Sequence, residues 1–221
     1  MPRNRNQART ETAPGDTVRP DCLDISISIG DMTPKTMRSL IRILYARQKL
    51  LAAMVRNSDI HIDEELIDLL DDEKPDTTER ILELVQSEVR ADMFKGIQLT
   101  DGSLGITIPG AEHSQEEIAV YARLLDRILE RARGAGNVSR KLLDPAEDEM
   151  KYCCYSFLTQ LGMAGPDHRE HRRLLTSHLK GYAAFKSKTQ LDAHIARITA
   201  RRRAKRETEH APTDLEAGDG E

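Results

Sequence analysis

Apolar residues recur with two different periods along this chain, and each period restricts the structure of its segment. Between residues 23 and 29, Leu23, Ile25, Ile27 and Ile29 alternate with polar residues, which is the pattern of a half-buried strand. The segment 97–108 is typical of a β-hairpin with a turn at Asp101-Gly102, because glycine accepts the positive φ of tight hairpins. These segments together predict a three-stranded antiparallel sheet.

Most other apolar residues follow the helical period of 3.6. Thr33 and Pro34 are typical of an N-cap and a first helical residue, so a long helix is predicted after them. Ser114 and Glu117 have the spacing of a capping box, which predicts a helix that ends near residue 133. Shorter helices are predicted at about residues 62–70 and 77–94.

Three more helices are predicted near the C-terminus, each preceded by a residue that favours a helix start or a turn. The first is predicted to begin at Pro145, the second to run from Asp167 to Gly181, and the third to begin near Ser187. The third helix is expected to bury Leu191, Ile195 and Ile198. The predicted fold is therefore α+β, with a small three-stranded antiparallel sheet and helices, followed by a helical C-terminal lobe.

The 221 residues are predicted to divide into four parts. Residues 1–22 are polar and lack periodicity, so they are predicted to form a disordered arm. Residues 23–143 form the predicted α+β domain, and residues 144–206 form the predicted basic helical lobe. Residues 207–221 are acidic and are predicted to be a disordered tail.

Charge is separated along the chain, although the total is only −4. The segment 57–133 holds nineteen acidic residues against eight Lys and Arg, whereas residues 167–206 hold twelve basic residues against three acidic ones. A basic end of this kind attracts polyanions. The twelve basic residues are predicted to contact nucleic acid: Arg169, Arg172, Arg173, Lys180, Lys186, Lys188, Arg197, Arg201, Arg202, Arg203, Lys205 and Arg206.

The basic segment has more than one interpretation. Two helices joined by residues 162–166 resemble a helix-turn-helix unit, in which the second helix reads DNA and neighbouring Lys and Arg hold phosphates. An ordinary helical hairpin with a solvated basic face would have the same pattern. The acidic and basic parts could instead pair within or between chains, which would make the protein an interaction module.

Other function classes receive no support from the sequence. Aromatic residues make up 4% of the chain and Trp is absent, which disfavours base-stacking platforms. The three cysteines form no C-x-x-C pair, and His168, His171 and His178 lie among arginines that repel a cation. Because nucleotide-binding and hydrolase motifs are also missing, we predict no catalytic residue, metal or cofactor. No secretory signal or membrane span is recognised, so a cytoplasmic, non-enzymatic protein is expected.

One stretch of the chain resembles a known family. The segment FLTQLGMAGPDHREHRRLL at residues 157–175, followed by GYAAFK at residues 181–186, is similar to the C-terminal part of the virulence-related proteins, which are carried on mobile elements of Gram-positive bacteria. Residues 32–54 and the hairpin also look similar, so the resemblance covers about residues 23–188. This chain has His178, Lys180, Tyr182 and Ala183 where the family has Asn, Ser, Asn and Ser. The resemblance implies a mobile-element protein and no catalytic residue.

Overall fold

A computed structural model describes residues 22–87, 92–110, 113–136 and 138–209. The predicted arm lies outside these residues except for Cys22, and the predicted acidic tail lies outside them beyond residue 209. The elements, in chain order, are β1 (Cys22–Ser28), α1 (Pro34–Val55), β2 (His61–Ile62), α2 (Glu64–Glu73), α3 (Thr78–Gln86), β3 (Phe94–Lys95), β4 (Ile97–Leu99), β5 (Ser103–Pro109), α4 (Gln115–Arg133), α5 (Met150–Gln160), a 3-10 turn (Pro166–His168), α6 (Arg169–Thr176) and α7 (Lys188–Glu209).

The three-stranded antiparallel sheet is confirmed, with the strand order β1-β5-β4. Ile25 is paired with Ile106, and Ile106 is also paired with Ile97 of β4, so the apolar residues of all three strands lie on one face. The hairpin turn lies at Asp101-Gly102, but Gly102 does not have a positive φ. The side chain of Thr100 closes the turn instead, since its hydroxyl accepts a hydrogen bond from the Ser103 amide at 3.0 Å.

A second, two-stranded antiparallel ribbon of β2 and β3 was not predicted. Each of its strands has two residues, too few to show a period in the sequence. The buried side chain of Gln48 holds this ribbon to α1, because its amide oxygen accepts from the Ile62 amide at 2.7 Å and its amide nitrogen donates to the Ile62 carbonyl at 2.9 Å. The ribbon therefore depends on a tertiary contact.

The helix α1 lies at the centre of the core and contacts α2, α3, α4 and α5. Its predicted start is confirmed, since the hydroxyl of Thr33 accepts from the Thr36 amide at 3.2 Å and Pro34 is the first helical residue. The capping box before α4 is also confirmed, with Ser114 and Glu117 bonded reciprocally. Buried residues of β1, β5, α1, α4, α5 and α6 belong to one continuous cluster.

Several predicted helix ends are wrong. The helix expected from Pro145 begins at Met150, and the segment before it is held to α1 by the Leu143 amide, which donates to the Ala46 carbonyl at 3.0 Å. The helix expected from Asp167 to Gly181 begins with a 3-10 turn and ends at Thr176. The helix α3 ends at Gln86, short of the predicted residue 94.

The last helix differs most from its prediction. None of the described residues 188–206 of α7 is buried. Leu191 is half-buried, while 52% of Ile195 and 37% of Ile198 remain exposed. The prediction that α7 buries these three residues is wrong, because helical spacing places side chains on one face but does not supply a partner for that face.

Candidate nucleic-acid interface

Arg172 of α6 is a structural residue in the described molecule. Its Nη1 donates to the carbonyl of Met163 and to that of Gly165, the latter at 2.8 Å. The guanidinium also lies 5.7 Å from the centre of the Tyr155 ring. The Nη1 group of Arg172 is therefore bonded to two carbonyls of the turn between α5 and α6, and these bonds stabilise the turn.

Three of the other predicted contact residues form ion pairs at the surface. Arg173 Nε lies 2.6 Å from the Glu170 carboxylate, Lys180 Nζ lies 2.6 Å from Glu147, and Lys186 Nζ lies 3.3 Å from Glu149. The hydrogen bond from Arg173 lowers the pKa of Glu170. These pairs are exposed, and a phosphate would have to compete with a carboxylate for each cation.

The helix α4 contacts α6. The Nδ1 atoms of His168 and His171 lie 3.1 Å apart. Burial lowers the pKa of His168, and the charges of His171, Arg127 and Arg123 lower it further. Arg123 and Arg127 are themselves paired with Asp126 and Glu130, so these two arginines add no unpaired positive charge beside α6.

The remaining predicted residues are all exposed, and most lie on α7. Arg169 is the first residue of α6. The hydroxyl of Ser187 accepts from the Gln190 amide at 3.3 Å and so caps α7. The basic residues of α7 are Lys188, Arg197, Arg201, Arg202, Arg203, Lys205 and Arg206, with Asp192 the single acid among residues 188–206. Arg197 Nη2 lies 3.2 Å from His194, whose ring packs 5.0 Å from that of Phe185.

The twelve predicted residues thus divide into two groups and a single residue, Arg169, which is exposed at the start of α6. Arg172, Arg173, Lys180 and Lys186 have their hydrogen bonds or ion pairs within residues 147–186. The seven basic residues of α7 lie along one exposed helix. The two-helix unit also departs from a DNA-reading motif, because its second helix, α6, has eight residues and its turn includes a 3-10 segment.

The acidic helix α2 forms ion pairs with arginines from other parts of the chain. Arg140 forms ion pairs with Glu64, Asp68 and Asp71 of α2, and Arg42 of α1 also pairs with Asp71. The sequence did not predict this network, since Arg140 is about seventy residues from its partners. These two arginines therefore balance part of the charge of the six acidic residues of α2.

Comparisons with models of known protein families, with curated proteins and with solved structures found no match to this chain. The resemblance to the virulence-related proteins stays a prediction. Across the described ranges, no group of three or more His, Cys, Asp or Glu side chains is arranged to hold a metal ion. No helix in the same ranges has both the length and the apolar character to cross a membrane.

Proposed function

We propose that this is a non-enzymatic nucleic-acid-binding protein and that α7 is its principal binding element. The observation that carries the proposal is the composition and exposure of α7. It has seven Lys and Arg residues against three acids, Asp192, Glu207 and Glu209, and none of the nineteen residues 188–206 is buried. A mobile-element origin and a cytoplasmic location stay predictions.

The length of α7 suits a duplex. At about 1.5 Å per residue its 22 residues extend roughly 33 Å, close to one turn of B-form DNA. Basic side chains occur on several sides of the helix between Arg197 and Arg206, so a groove-bound helix could reach phosphates of both strands. Since the basic residues are Lys and Arg without aromatic neighbours in those turns, the contacts would be electrostatic and largely independent of sequence.

The test is fluorescence anisotropy of the full chain with random duplex DNA, single-stranded DNA and duplex RNA from about 50 to 200 mM salt. A variant with Lys188, Arg197, Arg201 and Arg202 each changed to Gln should bind at least tenfold more weakly at 50 mM salt. Its salt slope should fall by about 0.9 for each phosphate contact removed. The control changes the paired residues Arg173, Lys180 and Lys186 to Gln, and its affinity and slope should change far less.

A steep slope that survives the α7 substitutions would overturn the assignment to α7. No binding at 50 mM salt to any of the three probes would overturn nucleic-acid binding itself. The alternative function, an interaction module that pairs acidic and basic parts of two chains, predicts a mass in solution that falls as salt is added. The local pairing of α2 with Arg140 and Arg42 weighs against that alternative.

A further inference from the structure

A cavity of about 230 Å³ lies between α1, α4, the end of α5 and the segment at residues 138–139. Its apolar lining includes Ile43 of α1 with Phe157 and Leu161, and all three side chains belong to the buried core. Its polar lining includes Arg47, Arg131 and Ser139. None of the lining residues lies in α7, so the cavity is separate from the proposed nucleic-acid interface.

The two arginines that line the cavity are not paired with a carboxylate, in contrast to four other arginines around them. Arg42, Arg123, Arg127 and Arg140 each form an ion pair with an Asp or Glu. Within the part of the chain that the structure describes, neither Arg47 nor Arg131 forms one, and no acidic residue lines the cavity. Arg47 is half-buried, and its Nη1 donates to the Ala46 carbonyl at 3.1 Å. The cavity is thus lined by two arginines whose charge no lining residue balances.

We propose that this cavity binds a small carboxylate with an apolar body, such as a short aliphatic or aromatic acid. A carboxylate accepts paired hydrogen bonds from guanidinium groups, and Ser139 adds a hydroxyl donor at the same rim. The apolar floor formed by Ile43, Phe157 and Leu161 requires an apolar group behind the anion. The volume is below the ~300–1,000 Å³ of sites for drug-sized ligands, so the acid must be small.

The walls of the cavity are formed before any ligand binds. Phe157 and Leu161 are fixed in the core, and Ile43 and Arg47 lie on the rigid central helix α1. The segment that supplies Ser139 continues to Leu143, whose amide donates to the Ala46 carbonyl at 3.0 Å. A preformed site of this kind spares the ligand the cost of ordering the protein.

The test is isothermal titration calorimetry of the full chain with benzoate and hexanoate, each compared with its neutral amide. We expect the carboxylates to bind at least tenfold more tightly than benzamide and hexanamide. Arg47→Gln and Arg131→Gln should each weaken carboxylate binding by about tenfold or more, the usual loss for a charged hydrogen bond. Arg123→Gln is the control, because Arg123 lies on the same helix as Arg131 but does not line the cavity. This variant should leave carboxylate binding unchanged.

Arg131 is exposed, so its variant keeps the test valid even if Arg47→Gln fails to fold. Equal affinity for benzoate and benzamide would overturn the proposal, and so would the absence of binding at millimolar acid. Inorganic phosphate that binds as tightly as benzoate would overturn the apolar part of the assignment. Because the readout uses no nucleic acid, failure here is distinguishable from failure of the proposed function.

Discussion

At the scale of single residues, Gly181 shows how the chain fastens its C-terminal segment to the rest of the fold. Its φ is +94°, a backbone conformation that residues other than glycine rarely adopt. A Cβ at this position would lie 1.9 Å from the carbonyl oxygen of Asp148. The ion pairs Lys180–Glu147 and Lys186–Glu149 flank the same contact, so residues 180–186 and 147–149 form one junction.

We expect Gly181→Ala to destabilise the protein much more than Gly162→Ala. Gly162 also has a positive φ, +77°, but a Cβ there would meet nothing within 4 Å. The control should therefore cost about 1–2 kcal/mol for the left-handed backbone alone. Gly181→Ala should cost a further ~1–3 kcal/mol, because the backbone of Asp148 must move. Urea unfolding of both variants measures the difference, and equal losses would show that the junction is not tightly packed.

At the scale of elements, helix and strand starts could be predicted where the signal is local. Thr33 and Ser114 cap their helices through residues three positions away, and the alternation at 23–29 needs no knowledge of the partner strand. The failures at Pro145 and in the β2–β3 ribbon share a cause. Each depends on contacts with distant residues, such as Leu143 with Ala46, which no local pattern contains.

The candidate site was predictable only as a region of charge. The exposed basic residues of α7 follow from composition, whereas the role of Arg172 does not. Its partners are backbone carbonyls at residues 163 and 165, and a carbonyl has no signature in the sequence. The carboxylates that pair with Lys180 and Lys186 come from Glu147 and Glu149, about 33 to 37 positions away. Pairing of this kind is set by the fold.

The exposure of α7 predicts an element with little protection against hydrogen exchange. Most helices in proteins are stabilised by packing of an apolar face, and α7 has no buried residue among residues 188–206. We expect its amides to exchange at least ~100-fold faster than those of α1, whose central residues are fully buried. Hydrogen exchange followed by mass spectrometry measures this. Equal protection in both helices would mean that a partner covers α7 in solution.

At the scale of the whole molecule, the acidic helix α2 and the basic helix α7 differ in how their charge is balanced. The acidic helix α2 has arginine partners from α1 and from residue 140, and these bonds raise the pKa of Arg140. The basic helix α7 has seven Lys and Arg residues against three acids, Asp192, Glu207 and Glu209. A chain with a net charge of −4 therefore has a last helix with a formal charge of +4.

This asymmetry should be visible in ion exchange. At pH 7 and low salt we expect the full chain to bind both an anion exchanger and a cation exchanger, although its net charge is negative. Changing Lys188, Arg197, Arg201 and Arg202 to Gln should abolish retention on the cation exchanger and preserve it on the anion exchanger, because Gln keeps the helix but removes the charge. The variant with Arg173, Lys180 and Lys186 changed to Gln should still be retained on both. If the unaltered chain passes through the cation exchanger, its basic end is already neutralised by acidic residues of this chain or of a second copy, and the charge-pairing alternative gains over nucleic-acid binding.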